Sequence, residues 1–292
     1  MKLVIAATPE VAIPTIEKLK LSEHQIVHLI TQPDRPAGRG LELTSSPIGQ
    51  KYECMKPENE SELAKLLTDS DLLITIGYGR ILSEQILQIP KYGGINLHFS
   101  LLPKWRGAAP VQRCLEAGDS KTGVTVFQMD KGMDTGEIWY QEEFQIPNDF
   151  YSAELFNSLA ELGADAILKT LKVIPESSPK KQIGASSLAA KIDNSELIID
   201  WTQPALKIRN KIRGLGPATF TNFRGTKLKI SKVDLSDLRL PIGEILVKER
   251  DLFIGTADVA LKVLTLTPAG KREQSGFDFA NGARLSPGEK VA

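Results

Sequence analysis

The apolar run Ile95–Phe99 constrains the fold more than any other stretch, because two polar residues, Asn96 and His98, interrupt it. Residues two apart on an extended strand point to the same side, so Asn96 and His98 would project together. An amide and an imidazole are costly inside a core unless they find partners. Open α/β sheets bind ligands at the carboxyl ends of their strands. The sequence therefore predicts a functional site at the end of this strand.

An acidic partner for this pair follows in the segment Met129–Gly136, where Asp134 lies between glycines. A carboxylate there could supply the charge that the imidazole of His98 lacks. The pair by itself leaves a second interpretation open, in which Asn96 and His98 only tie down neighbouring loops.

The first third of the chain has the pattern of a parallel sheet. Apolar runs at Lys2–Ala7, Ile26–Thr31 and Asp71–Ile76 alternate with helical patterns, which is typical of βαβ units. Thr8 is expected to cap the first helix, with Pro9 at its first position. No G-x-G-x-x-G follows the first strand, so a Rossmann-like, mostly parallel sheet is expected without a dinucleotide site.

The loop Gln32–Gly40 combines two prolines, two glycines and two arginines. This composition predicts an exposed, mobile loop without regular structure. Arg35 and Arg39 suit recognition of a phosphate or a carboxylate. A solvated turn without a partner is the alternative.

The back half has a different pattern. Residues 175–198 begin with a Pro- and Ser-rich stretch and are predicted to be a linker. One short helix follows, and then five short β-runs whose spacing predicts a small, OB-like β-barrel. The predicted helix spans 204–213, and the β-runs span 219–223, 227–233, 243–247, 252–255 and 259–266.

Charge separates the two halves although the whole chain has a formal net charge of zero. Residues 1–179 hold 17 Lys and Arg against 24 Asp and Glu, and residues 180–292 hold 19 against 12. An acidic front half and a basic back half favour a back half that meets an anion. Ordinary variation in surface charge is the alternative.

Composition sets the broad class. With 41% hydrophobic and 25% charged residues among 292, a soluble globular protein of one or two domains is expected. The apolar runs are too short for a transmembrane helix or a signal peptide. Two cysteines, Cys54 and Cys114, give neither a disulfide framework nor zinc spacing, and they favour a reducing cytoplasm.

Five motifs together resemble the methionyl-tRNA formyltransferases, and the resemblance covers nearly the whole chain. They are Thr-Pro after the first strand, Gln-Pro-Asp-Arg-Pro-Ala-Gly-Arg-Gly at 32–40, Asn-Leu-His with Ser-Leu-Leu-Pro at 96–103, Trp-Arg-Gly-Ala-Ala-Pro at 105–110, and the segment 129–136. Asp200-Trp201 and the stretch 268–271 match the back half. Ala7, where the family often has Gly, and Phe99, where a small residue is common, are departures that affect only the shape of the pocket.

The resemblance implies an enzyme that moves the formyl group of 10-formyltetrahydrofolate to the α-amino group of methionine on initiator tRNA. It implies an α/β formyltransferase domain at 1–174, the linker at 175–198 and a basic, tRNA-binding β-barrel domain at 199–292. Asn96 would stabilise the oxyanion, His98 would transfer protons, and Asp134 would orient His98.

The resemblance also implies binding residues. Folate would lie against the trio, and tRNA would contact the arginine loop and the basic domain. The residues are Ser100, Leu101, Leu102 and Pro103 for folate, and Arg35, Arg39, Arg209, Lys211 and Arg213 for tRNA. A cytoplasmic monomer without a metal or a membrane partner is expected.

Two other functions stay open from the sequence. One is a formyltransferase of the same fold that acts on a nucleotide-linked sugar amine or on glycinamide ribonucleotide. The other is a non-catalytic RNA-binding protein on an enzyme scaffold.

Overall fold

The structure of the protein is a computed structural model that describes residues 1–37 and 41–292. Its strands are β1 (Lys2–Ala7), β2 (Gln25–Ile30), β3 (Arg35–Ala37), β4 (Glu42–Thr44), β5 (Leu72–Ile76), β6 (Gly94–His98), β7 (Arg106–Gly107), β8 (Lys121–Gln128), β9 (Ile138–Gln145), β10 (Leu188–Ala189), β11 (Phe220–Phe223), β12 (Thr226–Leu235), β13 (Ile245–Lys248), β14 (Asp251–Ile254), β15 (Leu261–Pro268) and β16 (Gln274–Ser275). Its helices are α1 (Ile13–Lys20), α2 (Pro47–Lys51), α3 (Glu60–Leu67), α4 (Glu84–Leu87), α5 (Pro110–Glu116), α6 (Ser152–Val173), α7 (Ala205–Leu215) and α8 (Gly276–Ala283).

The chain forms two compact units that are interleaved in sequence. The first unit comprises Met1–Pro110, Lys121–Gln145 and Phe156–Ala189, and the rest of the chain forms the second. The division into domains at 1–174, 175–198 and 199–292 stays a prediction.

The first unit is built on a six-stranded sheet in the order β2-β1-β5-β6-β8-β9. Strands β1, β2, β5 and β6 pair in parallel, and β8 and β9 continue the sheet in antiparallel pairing. This confirms the expected α/β, mostly parallel sheet. The carboxyl ends of the four parallel strands lie at one edge, and the loops after β1, β2, β5 and β6 therefore leave the sheet there.

The sheet is covered on both faces, so its central strands are apolar throughout. All five residues of β5 are buried, as expected for a strand packed on both sides. In β6 the two faces differ. Leu97 points to the face where α6 approaches so closely that a Cβ at Gly163 would lie 2.6 Å from the Leu97 side chain. Asn96 and His98 therefore point together to the other face.

Two local predictions were wrong. Thr8 does not cap a helix, because Pro9 is the N-cap of a short 3₁₀ turn and the Thr8 hydroxyl donates to the carbonyl of Tyr78 at 3.0 Å. The arginine loop is not irregular throughout, because β3 pairs antiparallel with β4. A two-stranded ribbon admits Pro36, since proline is tolerated on an edge strand. Gly38, Arg39 and Gly40 lie outside the described residues.

The second unit contains the antiparallel sheet β11-β12-β15-β14-β13, with β16 beside β15. Each of the five predicted β-runs corresponds to one strand of this sheet, and the predicted helix corresponds to α7. Buried side chains from the sheet, from α7 and from α8 form one apolar core, with Trp201 as its largest member. The predicted small β-domain is confirmed, and its strands pair antiparallel, while an OB-like barrel stays a prediction.

Candidate active site

Asn96 is held by a neighbouring strand. Thr75 on β5 lies directly opposite it in the parallel ladder, and the Thr75 hydroxyl donates to the Asn96 Oδ1 atom at 2.8 Å. This contact turns the oxygen of the amide toward the sheet. Within the described part of the chain, no acceptor of the protein pairs with the Asn96 Nδ2 atom. The amide N–H groups are therefore available to a ligand.

His98 is buried, with 5% of its surface exposed. Its Nε2 atom lies 2.8 Å from the carbonyl oxygen of Trp105, and a carbonyl can only accept, so Nε2 must bear a proton. In the neutral ring, Nδ1 is then the unprotonated nitrogen. Nδ1 faces the Asp134 Oδ2 atom at 3.6 Å, which is too long for a direct hydrogen bond.

Opposing effects set the charge of this ring. Burial lowers the pKa of His98 below that of a free imidazole, while the Asp134 carboxylate and the Trp105 carbonyl oppose the shift. The edge of the Phe127 ring packs nearby, with 6.5 Å between the ring centroids. Burial therefore favours the neutral form of His98, and a carboxylate is in place to stabilise the charged form.

Asp134 is fixed by the backbone around it. Its Oδ2 atom accepts a hydrogen bond from the Gly107 N–H at 2.8 Å. Asp134 itself adopts a left-handed φ of 55°, which is uncommon for a residue with a side chain. Gly136, two residues on, must be glycine, since a Cβ there would overlap the carbonyl oxygen of Gln128. The tight turn holds the carboxylate at the ring.

The structure thus brings together the three residues that the sequence singled out as a trio. The arrangement offers an amide donor, an unprotonated nitrogen at Nδ1 of His98 and a carboxylate beside that nitrogen. Such a set can stabilise a negative oxygen and move a proton, which are the two requirements of acyl transfer to an amine. The catalytic role of the trio stays a prediction at this point.

The four residues predicted for folate lie beside the trio, but their polar groups are largely paired within the protein. The Ser100 hydroxyl donates to the Lys104 carbonyl, and the Ser100 carbonyl accepts from Thr125. The Leu102 N–H donates to Thr125, and its carbonyl accepts from Gln141. Contact of Ser100, Leu101, Leu102 or Pro103 with folate stays a prediction, and apolar packing is the contact that these pairings leave open.

Arg35 and Arg39 were predicted to contact tRNA, and Arg35 lies on β3, in the ribbon of β3 and β4. Arg35 is exposed, and its side chain makes one long contact with the described residues, from Nη2 to the Gln32 Oε1 atom at 3.3 Å. Arg39 lies outside the described residues. The Nε2 atom of the Gln32 side chain donates to the Tyr78 carbonyl at 2.8 Å. This hydrogen bond joins the base of the ribbon to the loop after β5.

Arg209, Lys211 and Arg213 lie on α7 in the second unit, and each donates to backbone carbonyls there. Arg213 has 5% of its surface exposed and binds the carbonyls of Phe150 and Pro147 at 2.8 and 3.2 Å. Arg209 binds the Asn148 carbonyl and Lys211 the Ile198 carbonyl. Burial lowers the pKa of Lys211 and of Arg213. These contacts are structural, and tRNA contact at the three positions stays a prediction.

Sequence reasoning missed the residues that support the trio. Thr75 and Gly107 were not singled out, although both lie in stretches that were. A polar residue inside the apolar run 72–76 was the available signal for Thr75. Gln182 falls in the predicted linker, and no sequence signal points to it.

Residues 1–37 and 41–292 contain no group of three or more His, Cys, Asp or Glu side chains that could hold a metal ion. No helix in the same residues is long and apolar enough to cross a membrane.

Comparison with protein families gives two matches that leave few residues uncovered. A model described as formyl transferase matches residues 1–171. A model described as formyl transferase, C-terminal domain, matches residues 191–284.

Individual relatives agree with these matches. The methionyl-tRNA formyltransferase of Thermobifida fusca (strain YX) is 38% identical over 306 aligned positions, which cover 99% of each chain. That of Rhodococcus erythropolis (strain PR4 / NBRC 100887) is 36% identical and covers 98% of each chain. HypX from Aquifex aeolicus, solved with tetrahydrofolic acid, has a TM-score of 0.69 at 16% identity over 99% of this chain and 48% of its own. At that identity the likeness shows the fold alone.

Proposed function

This chain belongs to the formyl transferase family, and we propose that it formylates the α-amino group of methionine on initiator tRNA. The observation that supports this most is the convergence of Asn96, His98 and Asp134 in a chain that aligns end to end with methionyl-tRNA formyltransferases. The product, N-formylmethionyl-tRNA, would serve translation initiation.

Asn96 acts on the oxygen of the formyl group. When the amine attacks the formyl carbon, negative charge develops on that oxygen, and the Asn96 amide donates to it. The Thr75 hydroxyl fixes the amide before the substrate arrives. A donor that does not have to reorganise during the reaction stabilises the charge most effectively.

His98 and Asp134 act on the protons. The attacking nitrogen loses a proton to the Nδ1 atom of His98, the nitrogen that the contact with Trp105 leaves unprotonated. The imidazolium is then stabilised by the Asp134 carboxylate. The bond between the formyl carbon and the folate nitrogen breaks, and the proton passes to that leaving nitrogen, so that His98 is neutral again.

The formyl donor is proposed to be 10-formyltetrahydrofolate. Formyl transferases of this family use a formyl-tetrahydrofolate, which supports the proposal. Among the residues near the trio, Leu101 and Leu102 would pack on the pterin. The fit rests on the free amide of Asn96, which gives the formyl oxygen a partner.

The tRNA is proposed to contact both units. Arg39 and Arg35 would bind phosphates at its acceptor end, and the basic second unit would add affinity. Lys229, which is exposed on β12, has more freedom to do so than Arg209, Lys211 and Arg213, whose donors already bind carbonyls. A cytoplasmic monomer is proposed, consistent with two free cysteines.

A transfer assay with three acceptors tests the function. Purified protein and 10-formyltetrahydrofolate are mixed with initiator methionyl-tRNA, a nucleotide-linked amino sugar or glycinamide ribonucleotide, and the formylated product is measured. Formylation of the tRNA alone is expected. Formylation of a small amine in its place would assign another formyltransferase activity, and tRNA binding without any transfer would assign a non-catalytic RNA-binding protein.

A further inference from the structure

Gln182 joins two parts of the active site with one side-chain amide. Its Nε2 atom donates to the carbonyls of Asp134 and Gly136, at 2.9 and 2.8 Å. Its Oε1 atom accepts from Arg106, at 2.6 Å from Nη2 and 3.2 Å from Nε. Both amide protons and both oxygen lone pairs therefore have partners, which is the full capacity of this side chain.

These partners permit one orientation of the Gln182 amide. A flipped amide would point its oxygen at the carbonyls of Asp134 and Gly136 and its NH₂ group at the guanidinium of Arg106. The first contact would place an acceptor against two acceptors, and the second would place donors against donors, so neither could form a hydrogen bond. The amide is therefore specific for a carbonyl pair on one side and a cation on the other.

The segment that contains Gln182 is fastened on both sides of it. Before it, the backbone of Lys180 pairs with Ile138 on β9, at 2.6 and 2.8 Å. After it, β10 pairs in parallel with β7, and the Ser187 hydroxyl accepts from the Trp105 N–H at 2.9 Å. Backbone pairing on both sides therefore fixes the position of Gln182 and keeps its amide close to the turn 134–136.

The hydrogen bonds connect Asp134 to β7 in two ways, directly through Gly107 and indirectly through Gln182 and Arg106. Gly107, which donates to Asp134, follows Arg106 directly, and Arg106 binds the amide that holds the Asp134 backbone. The left-handed φ of Asp134 is a conformation that surrounding contacts must maintain. From the segment 180–189, the Gln182 side chain makes two hydrogen bonds to this turn, one to the Asp134 carbonyl and one to the Gly136 carbonyl.

We propose that Gln182 is a positioning residue for formyl transfer, which holds the Asp134 carboxylate beside His98 by joining the turn 134–136 to β7. The inference rests on the function proposed above. It assigns a role in the reaction to a side chain 48 residues away from Asp134 in the sequence.

The substitution Gln182→Met tests this, because it keeps a long unbranched side chain and removes both halves of the amide. We expect kcat to fall about 10- to 100-fold, since displacements near 1 Å have that effect on positioned groups. KM for each substrate should stay near the parent value, because Gln182 is not proposed to contact either. Lys181→Met, at the exposed neighbouring position, is the matched control and should behave like the parent.

The titration of His98 gives a readout that a purely structural role would not move. Asp134 is the charged group that acts on the ring, and the other groups packed against it are the Trp105 carbonyl and the Phe127 edge. If the carboxylate moves away in Gln182→Met, the pKa of His98 falls. NMR of the imidazoles measures this, since the chain has only three histidines and His98→Gln identifies the signal.

Parent-like kcat and a parent-like His98 titration in folded Gln182→Met would overturn the proposal. If that variant does not fold, Arg106→Lys is measured in its place. Lysine keeps the positive charge and loses the pair of hydrogen bonds that Nε and Nη2 of Arg106 donate to the Gln182 Oε1 atom. A lowered kcat together with a lowered His98 titration would support the proposal, and parent-like values of both would overturn it. The titration is recorded without substrate, so a parent that fails to formylate tRNA would refute the proposed function while the positioning of Asp134 is still measured.

Discussion

Two regions leave the same edge of the parallel sheet and differ in how their polar groups are partnered. In the active site, the side chains of His98, Asp134 and Gln182 are largely shielded from water, and each is held by the protein. On the ribbon of β3 and β4, Arg35 is exposed, and its side chain has one hydrogen bond, of 3.3 Å, to the part of the chain that the structure describes.

The difference corresponds to two kinds of task. Groups that stabilise a transition state act best when they are in place before the substrate arrives. Groups that bind a charged polymer can order on binding, at a cost in conformational entropy. Substitutions in the first region should therefore lower kcat, and substitutions in the second should alter the use of tRNA. Gln182→Met belongs to the first kind.

The largest effect is expected for Asn96→Ala. Loss of one donor to the oxyanion should lower kcat about 10²- to 10³-fold. Thermal stability should change little, because Asn96 is only partly buried and the one hydrogen bond of its amide in the described structure is to Thr75. Single-turnover formylation of methionyl-tRNA measures the effect.

Thr75→Val is the matched control for this substitution, because it keeps the shape on β5 and removes only the hydroxyl that orients the amide. A loss smaller than that of Asn96→Ala is expected. Near-normal turnover of Asn96→Ala would remove Asn96 from the mechanism.

Asp134→Asn should have the next largest effect, about 10- to 100-fold on kcat, because proton transfer then lacks its charge partner. The sign of the pH effect follows from the contacts. The carboxylate raises the pKa of His98 against the effect of burial, so its removal lowers that pKa further. Since His98 must be neutral to accept the proton, the acidic limb of the kcat/KM profile should move to lower pH.

This profile is compared with that of Asp130→Asn, a substitution in the same loop. Asp130 is exposed and accepts from Gly132 and Thr135 within its own turn. An acidic limb that stays in place in Asp134→Asn, or that moves upward, would show that His98 is not the base.

The three candidate catalytic residues could be predicted from the sequence, but the residues that hold them in position could not. The alternation in Ile95–Phe99 placed Asn96 and His98 on one face, because strand periodicity is a local property. Gln182 is 76 residues from Arg106 and 46 from Gly136, and no periodicity connects such distances. The hairpin at Arg35 was also missed, since the prolines and glycines of the loop indicate a turn and do not show which neighbours pair.

Arg39→Ala should have a smaller effect, about 10-fold on turnover at subsaturating methionyl-tRNA, as for the loss of one charged hydrogen bond to a phosphate. Folate binding and thermal stability should stay at the parent level. Arg35→Ala should lose less, because Arg35 is proposed to assist. If Arg39→Ala formylates methionyl-tRNA as fast as the parent, the loop is only a solvated turn.

The second unit also contains both kinds of charged side chain, one buried and hydrogen-bonded within the protein and one exposed. The smallest effect on the use of tRNA is expected there. Lys229 is exposed on β12, opposite Phe220, whereas Arg213 is buried and binds two carbonyls. If Lys229 contacts a phosphate, Lys229→Gln should reduce the slope of log K for tRNA against log salt by about 1, since each contact releases counterions. Arg213→Gln should leave that slope unchanged and lower the free energy of unfolding by roughly 2 kcal/mol, because a buried guanidinium is lost together with its hydrogen bonds to two backbone carbonyls. Both quantities come from tRNA binding at several salt concentrations and from chemical unfolding of the same three proteins. A slope that changes in Arg213→Gln and not in Lys229→Gln would reverse the assignment and place the RNA contact on α7.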